Sequence, residues 1–162
     1  MKKYTEFPYP KKDKITVYGR EGCPYCEKIK SFLKDFYGKN FNKNVDYHDI
    51  FDIIDSKQAK DVTDFKKKMK IYIDDWSTVP MVFDNGNFVG GYDDYCTLLY
   101  DILIYSVDKK GLNMTMSEAK RRFPLIKDKI EKFQKDNRGL GEKINKCGQL
   151  KKITNSYKKN LK

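Results

Sequence analysis

The spacing of apolar and polar residues divides the first two thirds of the chain into short strands and helices. A β-branched run predicts a strand at 14–18, and apolar residues at helical spacing predict a helix over 23–37 that ends at Gly38. A second strand is expected at 45–50. A second helix is expected from about 56 to 70, with Ala59, Val62, Phe65 and Met69 on one face.

A hairpin pattern and a further helix follow. Two short apolar runs, Met81–Phe83 and Phe88–Val89, flank a turn whose Asn85-Gly86 pair suits positive φ angles. A last core helix is expected over about 93–107. This order predicts an α/β fold with a parallel strand pair extended by an antiparallel hairpin. The result is a four-stranded mixed sheet flanked by helices, which is the thioredoxin-like arrangement.

Charge separates the chain into two parts more clearly than any linker does. Residues 1–107 carry 17 Lys and Arg and 17 Asp and Glu, whereas residues 108–162 carry 17 and 6, so the net charge of +11 lies in the last third. We therefore expect a lead-in at 1–13, a core domain at 14–107, and a basic, mainly helical and partly disordered extension at 108–162. Its lysines form either a solvated face or a surface for a polyanion or an acidic partner.

The extension has its own helix signals. Thr115 and Glu118 have the spacing of a capping box, which predicts a helix start. Pro124 is expected to break or kink that helix. Beyond it lies an apolar stripe that is expected to dock on the core or on a partner, formed by Leu125, Ile126, Ile130 and Phe133.

Neither a secretory signal nor a membrane span is evident in the sequence. The first twenty residues mix lysines, prolines and acids without an apolar block. The longest apolar run, 98–107, is interrupted by Asp101 and is too short to cross a bilayer. We expect a cytoplasmic, monomeric protein in a compartment where thiols stay reduced.

The segment Cys23-Pro24-Tyr25-Cys26 carries the clearest chemistry. It follows a strand and opens a helix, where free backbone N–H groups and the helix dipole favour a thiolate at Cys23. Cys26 lies within about one turn and can close a disulfide with it. Half of a zinc site is a weaker reading, because the remaining candidate ligands are isolated: His48, Cys96 and Cys147. A structural disulfide is weaker still, since the loop is so short. No metal is expected.

Three separated blocks resemble one family, the dithiol glutaredoxins. The segment 17–26 resembles their active-site segment, Thr78-Val79-Pro80 their cis-proline loop, and the residues 90–94, Gly-Gly-Tyr-Asp-Asp, their glutathione-binding turn. The resemblance covers about residues 14–106. It implies a redox-active oxidoreductase in thiol-based electron transport, with glutathione as co-substrate. Its other substrates are then protein disulfides and glutathionylated proteins.

The resemblance also implies a role for individual residues. Cys23 is the nucleophile and Cys26 the resolving thiol. Arg20 receives the glycyl carboxylate of glutathione, the Val79 backbone pairs with its cysteinyl part, and Asp94 meets its γ-glutamyl ammonium. The full glutathione-binding set is Arg20, Tyr25, Thr78, Val79, Pro80, Gly91, Asp93 and Asp94. One departure is Lys66-Lys67-Lys68 on the second helix. Many members have a Gln or Arg there that contacts glutathione, so we expect a lysine to make this contact instead.

Several assignments stay open at the level of the sequence. Asp93 is either a glutathione contact or a helix N-cap, and Trp76 is either a groove residue or a packed anchor. Cys96 is expected to be a small buried side chain. Two other functions compete with dithiol catalysis. One is an iron–sulfur cluster-binding glutaredoxin, against which Pro24 weighs, and the other is a non-catalytic binding or assembly protein that acts through the basic extension.

Overall fold

The computed structural model describes residues 2–73, 78–99, 121–126 and 128. The described elements, in chain order, are β1 Ile15–Gly19, α1 Pro24–Tyr37, a 3-10 turn Gly38–Asn40, α2 Phe41–Asn44, β2 Val45–Asp49, α3 Ile50–Asp55, α4 Val62–Met69, β3 Met81–Asp84 and β4 Asn87–Gly90. A further helix, α5, is described over residues 92–99.

Within the described residues the strands form one mixed sheet in the order β2-β1-β3-β4. β1 pairs parallel with β2 and antiparallel with β3, and the β3–β4 hairpin completes the sheet. The predicted α/β, thioredoxin-like fold with a four-stranded mixed sheet is therefore confirmed. The central position of β1 fixes the site, because the chain passes from its end into the cysteine segment and α1.

Helices cover both faces of this sheet, so β1 is buried along its whole length. Successive strand residues point to opposite faces. Val17 and Val82 belong to a core with residues of α1 and α5, among them Ile29, Leu33, Leu98 and Leu99. Tyr18 and Phe83 belong to a second core with residues of α3 and α4, among them Ile53, Phe65 and Met69.

The predicted helix over 56–70 begins later than expected, since α4 starts at Val62, and the short helix α3 over residues 50–55 was not predicted. The carboxylates of Asp49 and Asp61 each begin one of these two helices. Asp49 accepts from the Phe51 N–H at 2.8 Å, and Asp61 accepts from the Asp64 N–H at 2.8 Å. A side-chain oxygen on these N–H groups stabilises a helix start. The second strand consequently ends at Asp49, one residue earlier than predicted.

Two predicted chain reversals are confirmed. Asn85 and Gly86 have φ angles of 53° and 84° between β3 and β4, as the Asn-Gly pair requires. Gly38 ends α1 with a φ of 56°, in the left-handed region that glycine tolerates.

The lead-in lies against the second core. Tyr4 and Phe7 pack on it, and the Tyr4 hydroxyl hydrogen-bonds with Nδ1 of His48 at 2.7 Å. The Tyr18 hydroxyl donates to the carbonyl of Pro8. Burial lowers the pKa of His48 to about 4, so its ring is neutral at pH 7.

Part of the extension packs on the first core. Phe123 and Ile126 are buried there, and Leu125 is partly buried. The helix is interrupted at Phe123, directly before Pro124, as predicted, with helical residues at 121–122 and 124–126. The expectations for Thr115, Glu118, Ile130, Phe133, Trp76 and Cys147 fall outside the described residues. None of the helices in the described ranges is long and apolar enough to span a bilayer.

Candidate active site

Cys23 lies at the junction of β1 and α1 as the N-cap of the helix. It has extended backbone angles, φ −88° and ψ 115°, and Pro24 follows as the first helical residue. The Cys23 sulfur accepts a hydrogen bond from the Cys26 N–H at 3.3 Å. The helix thus begins one residue later than predicted, and the sulfur occupies the place where capping oxygens usually satisfy a free N–H group.

The two thiols have different environments. Both are free; Cys26 is fully buried, whereas Cys23 keeps 6% of its surface exposed. Burial, followed by the hydrogen bond with Cys23, raises the pKa of Cys26 to about 12, although the Arg20 backbone N–H and charge lower it. Cys26 is therefore a protonated thiol in the dithiol state.

The proline loop closes over the sulfur of Cys23. The Val79–Pro80 peptide bond is cis, as predicted. The carbonyl oxygen of Val79 lies 3.9 Å from the Cys23 sulfur. Pro80 is buried and Thr78 is exposed, so the backbone of this loop faces the reactive cysteine.

An open cleft of about 380 Å³ lies beside Cys23. Its polar wall brings together residues that the sequence analysis named, Arg20, Tyr25, Thr78 and Val79, with Lys66. Of the three lysines at 66–68, Lys66 is thus the one that lines the cleft.

The apolar part of the cleft lining was missed by the sequence analysis. It consists of Ile50, Phe51, Val62, Phe65 and Met81. Phe51 is 47% exposed and Val62 is 38% exposed. The available signal was Phe51, a large apolar residue two positions after Asp49, which ends β2 and is the N-cap of α3. Val62 and Phe65, which helical spacing placed on one face, both line the cleft.

The glycine turn lies beyond this cleft. Gly90 has a φ of 132°, and a side chain there would collide with the carboxylate of Asp94. Asp94 accepts from the Gly91 N–H at 3.0 Å. Helical residues begin at 92, so Gly91 precedes the helix and Asp93 lies inside its first turn. The N-cap alternative for Asp93 was therefore wrong. The side chain of Asp94 instead caps the helix start by accepting from the Gly91 N–H. Asp93 is exposed, whereas Asp94 is largely buried, which raises its pKa.

An aromatic contact joins the glycine turn to the cysteine segment. The ring of Tyr25 lies 5.9 Å from the ring of Tyr92. Tyr25 is 53% exposed, and Tyr92 is buried in the first core. Gly91, Asp93 and Asp94 do not line the described cleft, so this tyrosine pair connects the two regions.

The remaining chemistry-bearing residues lie elsewhere. His48 is buried on the face of the second core, away from the cleft. Cys96 is fully buried, as expected, and is disulfide-bonded. Among the described residues, no group of three or more His, Cys, Asp or Glu side chains could hold a metal ion.

Comparison with known proteins decides the family. A family model described as Glutaredoxin matches residues 15–89, which include both cysteines and the proline loop. Glutaredoxin 1 of Rickettsia bellii is 31% identical over 97 residues, which cover 60% of this chain and 79% of that protein. The chain belongs to the glutaredoxin family. Its membership supports thiol–disulfide oxidoreductase chemistry.

Other relatives of this glutaredoxin are similar over the same region. Glutaredoxin 3 of Escherichia coli K12 is 27% identical over 97 residues, which cover 88% of that protein. An uncharacterized monothiol glutaredoxin of Caenorhabditis elegans is 28% identical over 81 residues, and the chain spans about half of its length, 48%. No solved structure matches the chain significantly. The relatives thus include at least one named as a monothiol protein.

Proposed function

We propose that this glutaredoxin is a glutathione-dependent thiol–disulfide oxidoreductase that uses Cys23 and Cys26 as a dithiol. One observation carries the proposal. The Cys23 sulfur stands at the wall of an open cleft, between the Cys26 N–H and the Val79 carbonyl, with a second free thiol buried behind it. A nucleophile at the lining of an open cleft, with a fully buried resolving partner, is the arrangement that two-step disulfide exchange needs.

In the first step, the thiolate of Cys23 attacks one sulfur of a disulfide. A bond forms between Cys23 and that sulfur, the original disulfide bond breaks, and the other sulfur leaves as a thiolate that takes a proton from water. The cleft lies next to Cys23, so a disulfide held there is within reach of the nucleophile. Protein disulfides and glutathionylated proteins are the proposed substrates.

Two cations in the cleft support glutathione as the co-substrate. Arg20 and Lys66 come from different parts of the chain and line the same cleft. We assign them to the glycyl carboxylate, because a flexible tripeptide end is held well by two converging positive charges. The N–H and C=O groups of Val79 are assigned to the cysteinyl part, as in the addition of a short strand.

The γ-glutamyl end of glutathione is assigned to the glycine turn. The N-terminus of α5 presents backbone N–H groups, which are suited to a carboxylate. The side chains assigned to this end are Asp93 and Asp94, with Gly91 before them. Tyr25 extends between the cleft and this turn, so a peptide chain that passes over it reaches both regions.

In the second step, either of two thiols resolves the mixed disulfide on Cys23. Glutathione can attack and leave Cys23 free. Alternatively, Cys26 attacks the Cys23 sulfur, the Cys23–Cys26 disulfide forms, and the bound thiol leaves. Two molecules of glutathione then reduce the internal disulfide and are oxidised to glutathione disulfide, so two electrons enter and two leave.

A coupled assay tests the proposal directly. The full-length chain is mixed with glutathione, glutathione reductase, NADPH and a small glutathione mixed disulfide, and NADPH consumption is followed. We expect turnover that depends on Cys23. Absence of turnover, with visible absorbance after anaerobic reconstitution with iron and sulfide, would instead favour the cluster-binding class. Absence of both would favour a binding or assembly role.

A further inference from the structure

Tyr47 reaches the cysteine segment through a gap left by a glycine. Tyr47 belongs to β2 and lies beside β1, two residues before the position that pairs with Gly19. If Gly19 carried a Cβ, that atom would stand 3.0 Å from Cζ of Tyr47, nearer still to its hydroxyl oxygen, and 3.2 Å from Cβ of Cys26. The phenol and the resolving cysteine therefore both border the small space that a side chain on Gly19 would fill.

The phenol is held in this place by its surroundings. The ring is half-buried against the first core, and the ammonium of Lys30 lies 4.8 Å from its centre. The hydroxyl oxygen makes no hydrogen bond within the described part of the chain. It is thus an uncommitted donor close to Cys26.

Burial, together with nearby negative charges, keeps the Tyr47 hydroxyl protonated. Burial raises the pKa of Tyr47 above its ordinary value. Negative charge at Cys26 raises it further, as do Glu27, Asp49 and Cys23. A phenol that keeps its proton at neutral pH can donate a hydrogen bond to a nearby anion.

The second step of the proposed function creates such an anion. Cys26 must lose its proton before it attacks, yet it is fully buried. Burial disfavours the thiolate, and a hydrogen bond to the thiolate favours it. The Arg20 backbone N–H and the charge of Arg20 lower the pKa of Cys26, but burial outweighs them, so a further donor near Cys26 would favour the thiolate.

We propose that the hydroxyl of Tyr47 donates a hydrogen bond to the thiolate of Cys26 while Cys26 attacks the mixed disulfide on Cys23. This inference rests on the proposed dithiol function. The Cys26 thiol gives its proton to water, and its electron pair forms the bond to the Cys23 sulfur. The bond between Cys23 and the bound thiol breaks, and the departing thiolate takes up a proton. Tyr47 keeps its own proton throughout.

The test compares Tyr47→Phe in two backgrounds, with full-length protein. One assay follows reduction of a peptide with a single internal disulfide, which uses Cys26. The other follows removal of glutathione from a small mixed disulfide, which needs Cys23 alone. We expect Tyr47→Phe to slow the first reaction about ten-fold, as for loss of a hydrogen bond to a charged group, with KM for glutathione and the second reaction unchanged.

The Cys26→Ser background separates a hydrogen bond from a structural effect. There, Tyr47→Phe should change neither reaction further, because the acceptor is gone. Tyr4→Phe is the matched control, since it also removes a tyrosine hydroxyl, but one that hydrogen-bonds with His48 beside the second core. The inference would be overturned if Tyr47→Phe lowered the rate equally in the Cys26→Ser background, or if it did not slow reduction of the peptide disulfide with Cys26 present.

A second measurement does not depend on turnover. In Cys23→Ser protein, alkylation of Cys26 is followed against pH by mass spectrometry of its peptide. Tyr47→Phe should move the alkylation midpoint to higher pH, and an unchanged midpoint would count against the inference. If the unsubstituted chain were inactive in both assays, the proposed function would fail, and the alkylation result would still decide whether Tyr47 stabilises the Cys26 thiolate.

Discussion

The carboxyl group of Asp84 accepts a hydrogen bond from the backbone N–H of Ile126 at 2.8 Å. It also accepts from the Leu125 N–H at 3.2 Å, so a residue of the hairpin satisfies the first N–H groups of helical residues 124–126. Nδ2 of Asn87 donates to the Arg122 carbonyl at 2.8 Å nearby. This part of the basic extension is therefore fastened to the oxidoreductase fold by specific contacts.

Replacement of Ile126 by Ala should destabilise the whole fold. The side chain is fully buried in the first core, and loss of a buried Ile side chain costs about 2–5 kcal/mol. Leu125→Ala is the matched control, because Leu125 is only partly buried, and it should cost less. Urea unfolding measures both. Equal, small effects would mean that this segment does not contribute to the core in solution.

Stability should fall as pH rises through the titration range of Asp84. The pKa of Asp84 is raised to about 7, chiefly by burial and also by the charge of Asp128, although the hydrogen bonds from the two N–H groups lower it. In the unfolded chain the carboxyl titrates near 3.9. Between about pH 4 and pH 7 the folded state thus holds a proton that the unfolded state has lost, so its advantage disappears as pH rises through this window.

Asp84→Asn isolates this effect, because the amide cannot titrate. His48 acts in the opposite direction, since its folded pKa of about 4 lies below the unfolded value near 6.5. The informative quantity is therefore the difference between the two proteins. We expect the difference in urea midpoint, the unsubstituted chain minus Asp84→Asn, to decrease as the pH rises from 4.5 to 8. Parallel pH profiles would refute the prediction.

The two cysteines should differ in what their loss abolishes. Cys23→Ser should remove all activity, because a serine hydroxyl is not ionised at neutral pH and does not attack sulfur. Cys26→Ser should spare removal of glutathione from mixed disulfides and weaken reduction of protein disulfides, which uses both thiols. Both are measured in the coupled assay. If Cys26→Ser were as inactive as Cys23→Ser, the assigned roles would be incorrect.

Arg20 and Lys66 should matter for glutathione, and Lys67 should not. Arg20→Ala or Lys66→Ala should raise KM for glutathione by about five-fold, which corresponds to about 1 kcal/mol for an exposed charge pair. Lys67→Ala is the control, because Lys67 is exposed on the same helix but does not line the cleft. An equal effect of all three variants would point to general attraction by positive charge rather than to a site.

Local features of the fold were readable because they depend on neighbours in the chain. The Asn85-Gly86 turn, the end of α1 at Gly38 and the break before Pro124 follow from the backbone preferences of single residues. The cysteine segment at the start of α1 was likewise evident. Helical spacing alone was not enough over 56–70, since apolar spacing does not reveal that Asp61 starts a new helix by capping Asp64.

The sequence by itself determined the order of strands and helices, the cysteine motif and the resemblance to the glutaredoxins, because short-range conformational preferences and residue types encode them. The tertiary structure alone decided that Lys66 joins Arg20 in the cleft, that Asp84 holds Ile126, and that Gly19 leaves room for Tyr47 beside Cys26. Each of these depends on residues far apart in the chain, and their meeting is fixed by the register of the sheet and the packing of helices on its two faces.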